Sequence, residues 1–165
     1  MFAHPAHLLA MGFGSGLPRW APGTVGTLWG WAAYLIMQHW LSTAAIGWLI
    51  LVSLPVGWWA CTVTARRLGV ADPSCVVWDE IVAFWLILWL VMPAGLLAQA
   101  IAFALFRYFD AAKPGPVAWA DQLFKQRDTQ PEAMRWAAAG FGILFDDLVA
   151  AFCALLVIAA WRTWF

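Results

Sequence analysis

Five long apolar runs organise the chain, at 25–41, 44–65, 76–92, 94–109 and about 140–161. Gln38, His39, Ser42 and Thr43 interrupt the first pair, and Pro93 with Gly95 interrupts the third and fourth. Both breaks are short turn signals, so each pair predicts a helical hairpin. The pattern therefore predicts an all-α fold, a compact helical membrane protein of about five apolar helices in hairpins. Several runs fall short of the roughly 20 residues needed to cross about 30 Å of hydrocarbon, which leaves room for tilted, shallow or re-entrant helices.

If each hairpin returns to the side it left, most charged residues collect on one face. That face takes Arg66, Arg67, Asp72, Asp79, Glu80, Arg107, Asp110, Lys113, the segment up to Arg135, Asp146 and Asp147, and leaves Arg162 for the other. The lysines and arginines predict that this face is cytoplasmic, although nearly balancing acids weaken the signal. Two polar or irregular segments lie there too. Residues 113–135, KPGPVAWADQLFKQRDTQPEAMR, read as an interfacial loop with a short helix around 118–125. Residues 12–30, GFGSGLPRWAPGTVGTLWG, hold six glycines and two prolines in nineteen positions. That density predicts a shaped loop in place of regular structure, leading into a helix that starts near Thr24.

Composition places the chain in a class. Of its 165 residues 64% are hydrophobic and 11% charged, far from the soluble balance of about half apolar and a quarter charged. Fourteen tryptophans, several flanking apolar runs, fit a water–lipid boundary. The length fits one domain over 1–165, embedded in or bound to a bilayer. A net formal charge of zero gives no reason to expect a nucleic-acid partner. Cys61, Cys75 and Cys153 lack disulfide or zinc spacing, and the N-terminal MFAHPAHLLAMGFG lacks a signal-peptide pattern, so insertion is expected to use internal segments.

The candidate chemistry is carried by charges inside apolar sequence. Asp79 and Glu80 stand in VVWDEIVAFW, and Asp146 and Asp147 in GILFDDLVAAF. Acids so placed are costly without a partner and are functional candidates by default. Two acid pairs on two helices could hold a hard divalent cation such as Mg²⁺ through oxygen ligands; the plainer alternative is pairing with Arg107, Lys113 or helix N-termini. In FRYFDAAKPGP, Arg107, Asp110 and Lys113 share one helical face. They read as a salt-bridge ladder, or as two cations holding phosphate oxygens with Asp110 as ligand or orienter. In the glycine-rich stretch, Ser15, Thr24 and Thr27 add hydroxyls to backbone N–H groups that could form an anion nest at a helix start. His4, His7 and His39 lie away from the acids, which leaves metal-activated water as the simplest chemistry. A small cation or proton transport subunit using paired intramembrane acids is the competing reading.

In order along the chain, GFGSGL, PGTVGTL, VVWDE, FRYFDAAKPGPV and GFGILFDDLVA resemble the phosphatidylglycerophosphatase A family, from about Gly12 to about Ala151. The resemblance implies an all-helical, Mg²⁺-dependent phosphatase of the bacterial inner membrane. Such an enzyme removes the terminal phosphate of phosphatidylglycerophosphate to give phosphatidylglycerol, with its active site facing the cytoplasm. By matching positions it implies a metal site at Asp79, Glu80, Asp146 and Asp147 with Asp110 close by. Ser15, Thr24, Thr27, Arg107 and Lys113 become the phosphate-holding set. Arg19 falls in a variable stretch, as a candidate lipid-phosphate contact without family support.

Overall fold

A computed structural model describes residues 4–124 and 131–164. Among them the chain forms seven α-helices and no strand: α1 Pro5–Ala10, α2 Pro22–Trp40, α3 Thr43–Leu68, α4 Trp78–Val91, α5 Leu96–Ala112, α6 Pro116–Leu123 and α7 Glu132–Trp164. A 3-10 turn, Gly12–Gly14, lies between α1 and α2. Local sequence explains several boundaries. Proline at the first turn starts α2 and α6, where its missing N–H costs nothing. Ser42 caps α3 by accepting from the Ala45 N–H at 3.2 Å, and Gly69, at φ +68°, ends it in the left-handed conformation.

Helix α4 is the axis of the molecule. Its sequence is apolar nearly all round, as a helix enclosed by others must be, and nine of its fourteen residues are buried. Helices α2, α3, α5 and α7 pack against it, α7 also lies on α3, α5 and α6, and α1 rests on α3.

Of the two expected hairpins, α4 and α5 do pack together, but the first pair does not describe the packing. Consecutive helices α2 and α3 touch only slightly; α2 lies along α4 and α3 along α7. Small residues explain the choice of partner. A Cβ on Gly26 of α2 would stand 2.6 Å from Val77 Cβ, and one on Gly30 would stand 3.2 Å from Ile81 Cα, so α2 fits against α4 only through glycine. Trp85 fastens the contact by donating from Nε1 to the Gly30 carbonyl at 2.7 Å. On α7, a Cβ at Gly140 would meet the Thr62 backbone of α3, 2.7 Å from its nitrogen. Close approach through small residues characterises helix packing in apolar surroundings.

Two further expectations change. The shaped loop is shorter than the glycine-rich stretch 12–30, because α2 begins at Pro22, two residues before the expected start near Thr24, and contains Gly23, Gly26 and Gly30. The roughly 1 kcal/mol that glycine costs in a helix is outweighed by the close packing it permits. The irregular part is 11–21, where Gly12 and Gly14 take positive φ of 55° and 104°. The polar segment 113–135 holds a short helix close to the expected place, α6 at Pro116–Leu123, and what changes is that α7 begins at Glu132, well before position 140. Lys125, in the expected 118–125 helix, lies outside the described residues. Helix α7 is thus about 50 Å long at 1.5 Å per residue.

Helices α3 and α7 are long and apolar enough to cross a membrane. The outer surface carries many large apolar side chains, among them Trp40 at 78% exposure, Leu97 at 76% and Trp48 at 68%. Exposed apolar area on this scale marks a surface made for a non-aqueous neighbour.

Candidate active site

Three helix ends and the middle of a fourth helix meet at one level. The first turn of α4 brings Asp79 and Glu80, where the helix dipole favours negative charge. The start of α2 brings Thr27, the end of α5 brings Arg107, Asp110 and Lys113, and α7 passes with Asp146 and Asp147 halfway along it. The entry to α4 is pinned by a bond from the Val77 N–H to the Ala10 carbonyl at 2.9 Å.

The first cluster is built on Arg107. Its Nη1 donates to Glu80 Oε1 at 3.3 Å, to Thr27 Oγ1 at 3.5 Å, and to Asp110 Oδ2 in a very short contact. Thr27 is fully buried and donates its own hydroxyl to the Gly23 carbonyl at 2.8 Å. Gly23 has a specific reason to be glycine, since a Cβ there would strike Glu80 Oε1. The acid can therefore lie directly against α2.

The second cluster is built on Lys113, whose Nζ donates to Asp121 Oδ1 and to Asp146 Oδ2, both at 2.6 Å. Lys113 closes α5 at φ 44°, a left-handed conformation that costs a non-glycine residue energy. Burial alone would lower its pKa. The two hydrogen bonds and the charges of Asp121 and Asp146 outweigh that and hold it above the ordinary lysine range, so it stays a cation.

The remaining acids are less satisfied. Asp79 Oδ1, Glu80 Oε2 and Asp147 Oδ2 are buried with no hydrogen-bond partner among the described residues. Asp147 as a whole is only 3% exposed. Asp79, Glu80, Asp110, Asp146 and Asp147 lie close enough to act on one another electrostatically. Among the described residues, no three acidic, histidine or cysteine side chains stand as a ready-made cation cage.

Of the sequence candidates, Thr27, Glu80, Arg107 and Asp110 are thus joined directly, Lys113 holds Asp146, and Asp79 and Asp147 adjoin them. Ser15 and Thr24 are not tied in: Ser15 donates to the Gly12 carbonyl at 2.8 Å, and neither makes a described hydrogen bond to the acids. The loop's close approaches are to protein, with Gly16 against the Cys75 carbonyl and Gly12 against Val77 and Ile81. Arg19 is exposed. His7 pairs with Thr64 at 2.9 Å, apart from the acids. Asp121 is a site residue that the sequence did not single out. Its one signal was its place in a short helix just after Lys113, an ordinary position for an acid in a polar segment.

Residues 8–162 match the family described as Phosphatidylglycerophosphatase A. The chain belongs to that family. It is 35% identical to phosphatidylglycerophosphatase A of Haemophilus influenzae over 161 residues, covering 98% of this chain and 91% of the relative. It is 33% identical to the Escherichia coli protein of the same name over 153 residues, covering 90% and 78%. A Bacteroides thetaiotaomicron protein, provisionally named a phosphatidylinositol-3-phosphatase, is 32% identical over 162 residues, covering 94% and 92%. No solved structure matches the chain. Membership of the phosphatidylglycerophosphatase A family spans every helix that contributes to the polar level, and nothing in these likenesses favours a transport subunit.

Proposed function

We propose that the chain is a Mg²⁺-dependent lipid phosphatase that hydrolyses the terminal phosphate monoester of phosphatidylglycerophosphate to phosphatidylglycerol, at the cytoplasmic face of the bacterial inner membrane. The observation that carries this reading is the set of buried, unpartnered carboxylate oxygens on Asp79, Glu80 and Asp147, placed beside Arg107 and Lys113 in a chain of this family. Buried carboxylates without partners are too costly to be kept as packing. Their oxygen-only chemistry fits a hard cation. The residues that would hold it are Asp79, Glu80, Asp146 and Asp147, and a bound Mg²⁺ would supply positive charge against the phosphate and activate water for attack.

The chain's own groups do the rest. Lys113 uses two of its three N–H donors on Asp121 and Asp146, which leaves the third for a phosphate oxygen. The described hydrogen bonds of Arg107 all use Nη1, Nη2 lies against Gly23 of α2, and Asp110 and Glu80 hold the guanidinium where its positive charge can act on the phosphate. Water adds to phosphorus in line, the bond from phosphorus to the glycerol oxygen breaks, and inorganic phosphate leaves while that oxygen gains a proton. Ser15 and Thr24 stay as outer candidates for head-group contact. With the polar level at the membrane boundary and apolar helix surface beyond it, the acyl chains need not leave the bilayer.

The reading is tested by phosphate release from phosphatidylglycerophosphate, phosphatidic acid and phosphatidylinositol 3-phosphate, with and without Mg²⁺. Mg²⁺-dependent turnover preferring phosphatidylglycerophosphate is the expected result. No release from any of them overturns the reading, and preference for the inositol lipid moves the substrate to the one in the Bacteroides relative's name.

A further inference from the structure

Helices α5 and α7 carry five of the site's charged groups at the polar level, and away from that level the same two helices line an apolar cavity. Its volume is about 370 Å³, within the range of about 300–1,000 Å³ usual for ligand sites. Ala98, Ile101 and Leu105 line it from α5 at helical spacing, Val157, Ile158 and Trp161 from α7, and Val91 from the end of α4. The one charged lining residue is Arg162 at the far end, which donates from Nη2 to the Val91 carbonyl at 3.2 Å.

We propose that this groove holds an acyl chain of the phospholipid whose head group is hydrolysed at the polar level, a subsite that rests on the function proposed above. Three observations commit it to that occupant. Apart from Arg162 at the far end the lining is apolar, so an acyl chain satisfies it and a polar ligand does not. The groove reaches toward the site on its α5 wall, where Leu105 stands two residues from Arg107, while its α7 wall begins at Val157, ten residues beyond Asp147 on the same helix. The length also fits. From Asp110 to Ala98 is about 18 Å along α5 and from Asp147 to Val157 about 15 Å along α7, at 1.5 Å per residue. One leaflet's share of a hydrocarbon core about 30 Å thick is about 15 Å. The walls are open on one side, with Ile101 at 51% and Val157 at 42% exposure, so a chain can enter sideways from the bilayer.

The test fills the groove from its exposed wall. Ile101→Trp and Ala98→Phe are compared with the parent on long-chain phosphatidylglycerophosphate and on a short-chain, water-soluble analogue. The subsite predicts a rise in KM of roughly tenfold or more for the long-chain lipid, about the worth of two buried CH₂ groups, with kinetics on the short-chain analogue within about twofold. Unchanged KM on both substrates, or an equal loss on both, overturns it. Photo-crosslinking of the unaltered protein with a phospholipid carrying a diazirine in its acyl chain gives a readout free of turnover. Adducts on α5 and α7 lining residues support the groove, and adducts confined to α2 and α3 overturn it. If the parent protein releases no phosphate, the phosphatase reading fails while the adduct map still decides where the chain lies.

Discussion

At the residue scale, Asp147 shows how cost and function coincide. Its Oδ2 is buried and unpartnered beside other acids, so the charge destabilises the fold. Asp147→Asn should therefore melt no lower than the parent in detergent, yet reduce phosphate release by about 100-fold or more, beyond the 10–100-fold typical of groups that only support a metal ligand. A variant that melts lower and retains activity would make Asp147 a structural residue. Lys113→Ala should lower kcat/KM more than tenfold, because it removes a phosphate donor and the hydrogen bonds that Lys113 gives to Asp121 and Asp146. Asp121→Asn, which keeps the lysine and loses one anchor, should cost less, and steady-state kinetics of the two order them. The paired acids were legible in sequence because charge inside an apolar run announces itself. Asp121 was not, since an acid in a polar segment carries no such contrast, and Ser15 showed only its hydroxyl, not the Gly12 carbonyl that engages it.

At the scale of elements, the apolar runs foretold where helices lie but not which of them pack together. Partner choice follows from small residues meeting across helix faces, and one chain's pattern shows the faces without their partners. The same fact explains why the glycines near the start of α2 lent the whole stretch 12–30 a loop-like reading: glycine's poor helix propensity is a local signal, and close approach to α4 overrides it. Gly26→Val should destabilise the protein by about 1–3 kcal/mol, the usual cost of overpacking, because its Cβ would press on Val77 at the α2–α4 contact. It should also reduce activity, as Thr27 and Glu80 flank that contact. Gly14→Val meets only Leu17 Cδ1, at 3.8 Å, so its cost comes from the positive φ alone, about 1–3 kcal/mol without displacement of α2. Thermal melts paired with turnover separate the two, since Gly14→Val should keep a larger share of activity at equal loss of stability.

At the scale of the whole molecule, polarity is arranged along one axis. The acids and their cations gather at the start of α4, while Arg162 meets Val91 at its other end. Between these levels the outward surface is apolar, which suits a bilayer, and the polar level would lie where a lipid head group meets water. Single cysteines at Arg66 and Arg162, in a chain otherwise free of cysteine, should therefore label with a membrane-impermeant maleimide from opposite sides of inverted vesicles. Labelling of both from one side would refute the proposed orientation. The central claim, however, is chemical: the acids of α4 and α7 hold a divalent cation that phosphate release requires. The most direct measurement is phosphate release from phosphatidylglycerophosphate by the purified protein, stripped with EDTA and titrated with Mg²⁺, for the parent chain and for Asp147→Asn. Release should stop after stripping, recover saturably with Mg²⁺ in the parent, and recover little or not at all in the variant. Release that survives EDTA, or equal recovery in Asp147→Asn, would contradict it.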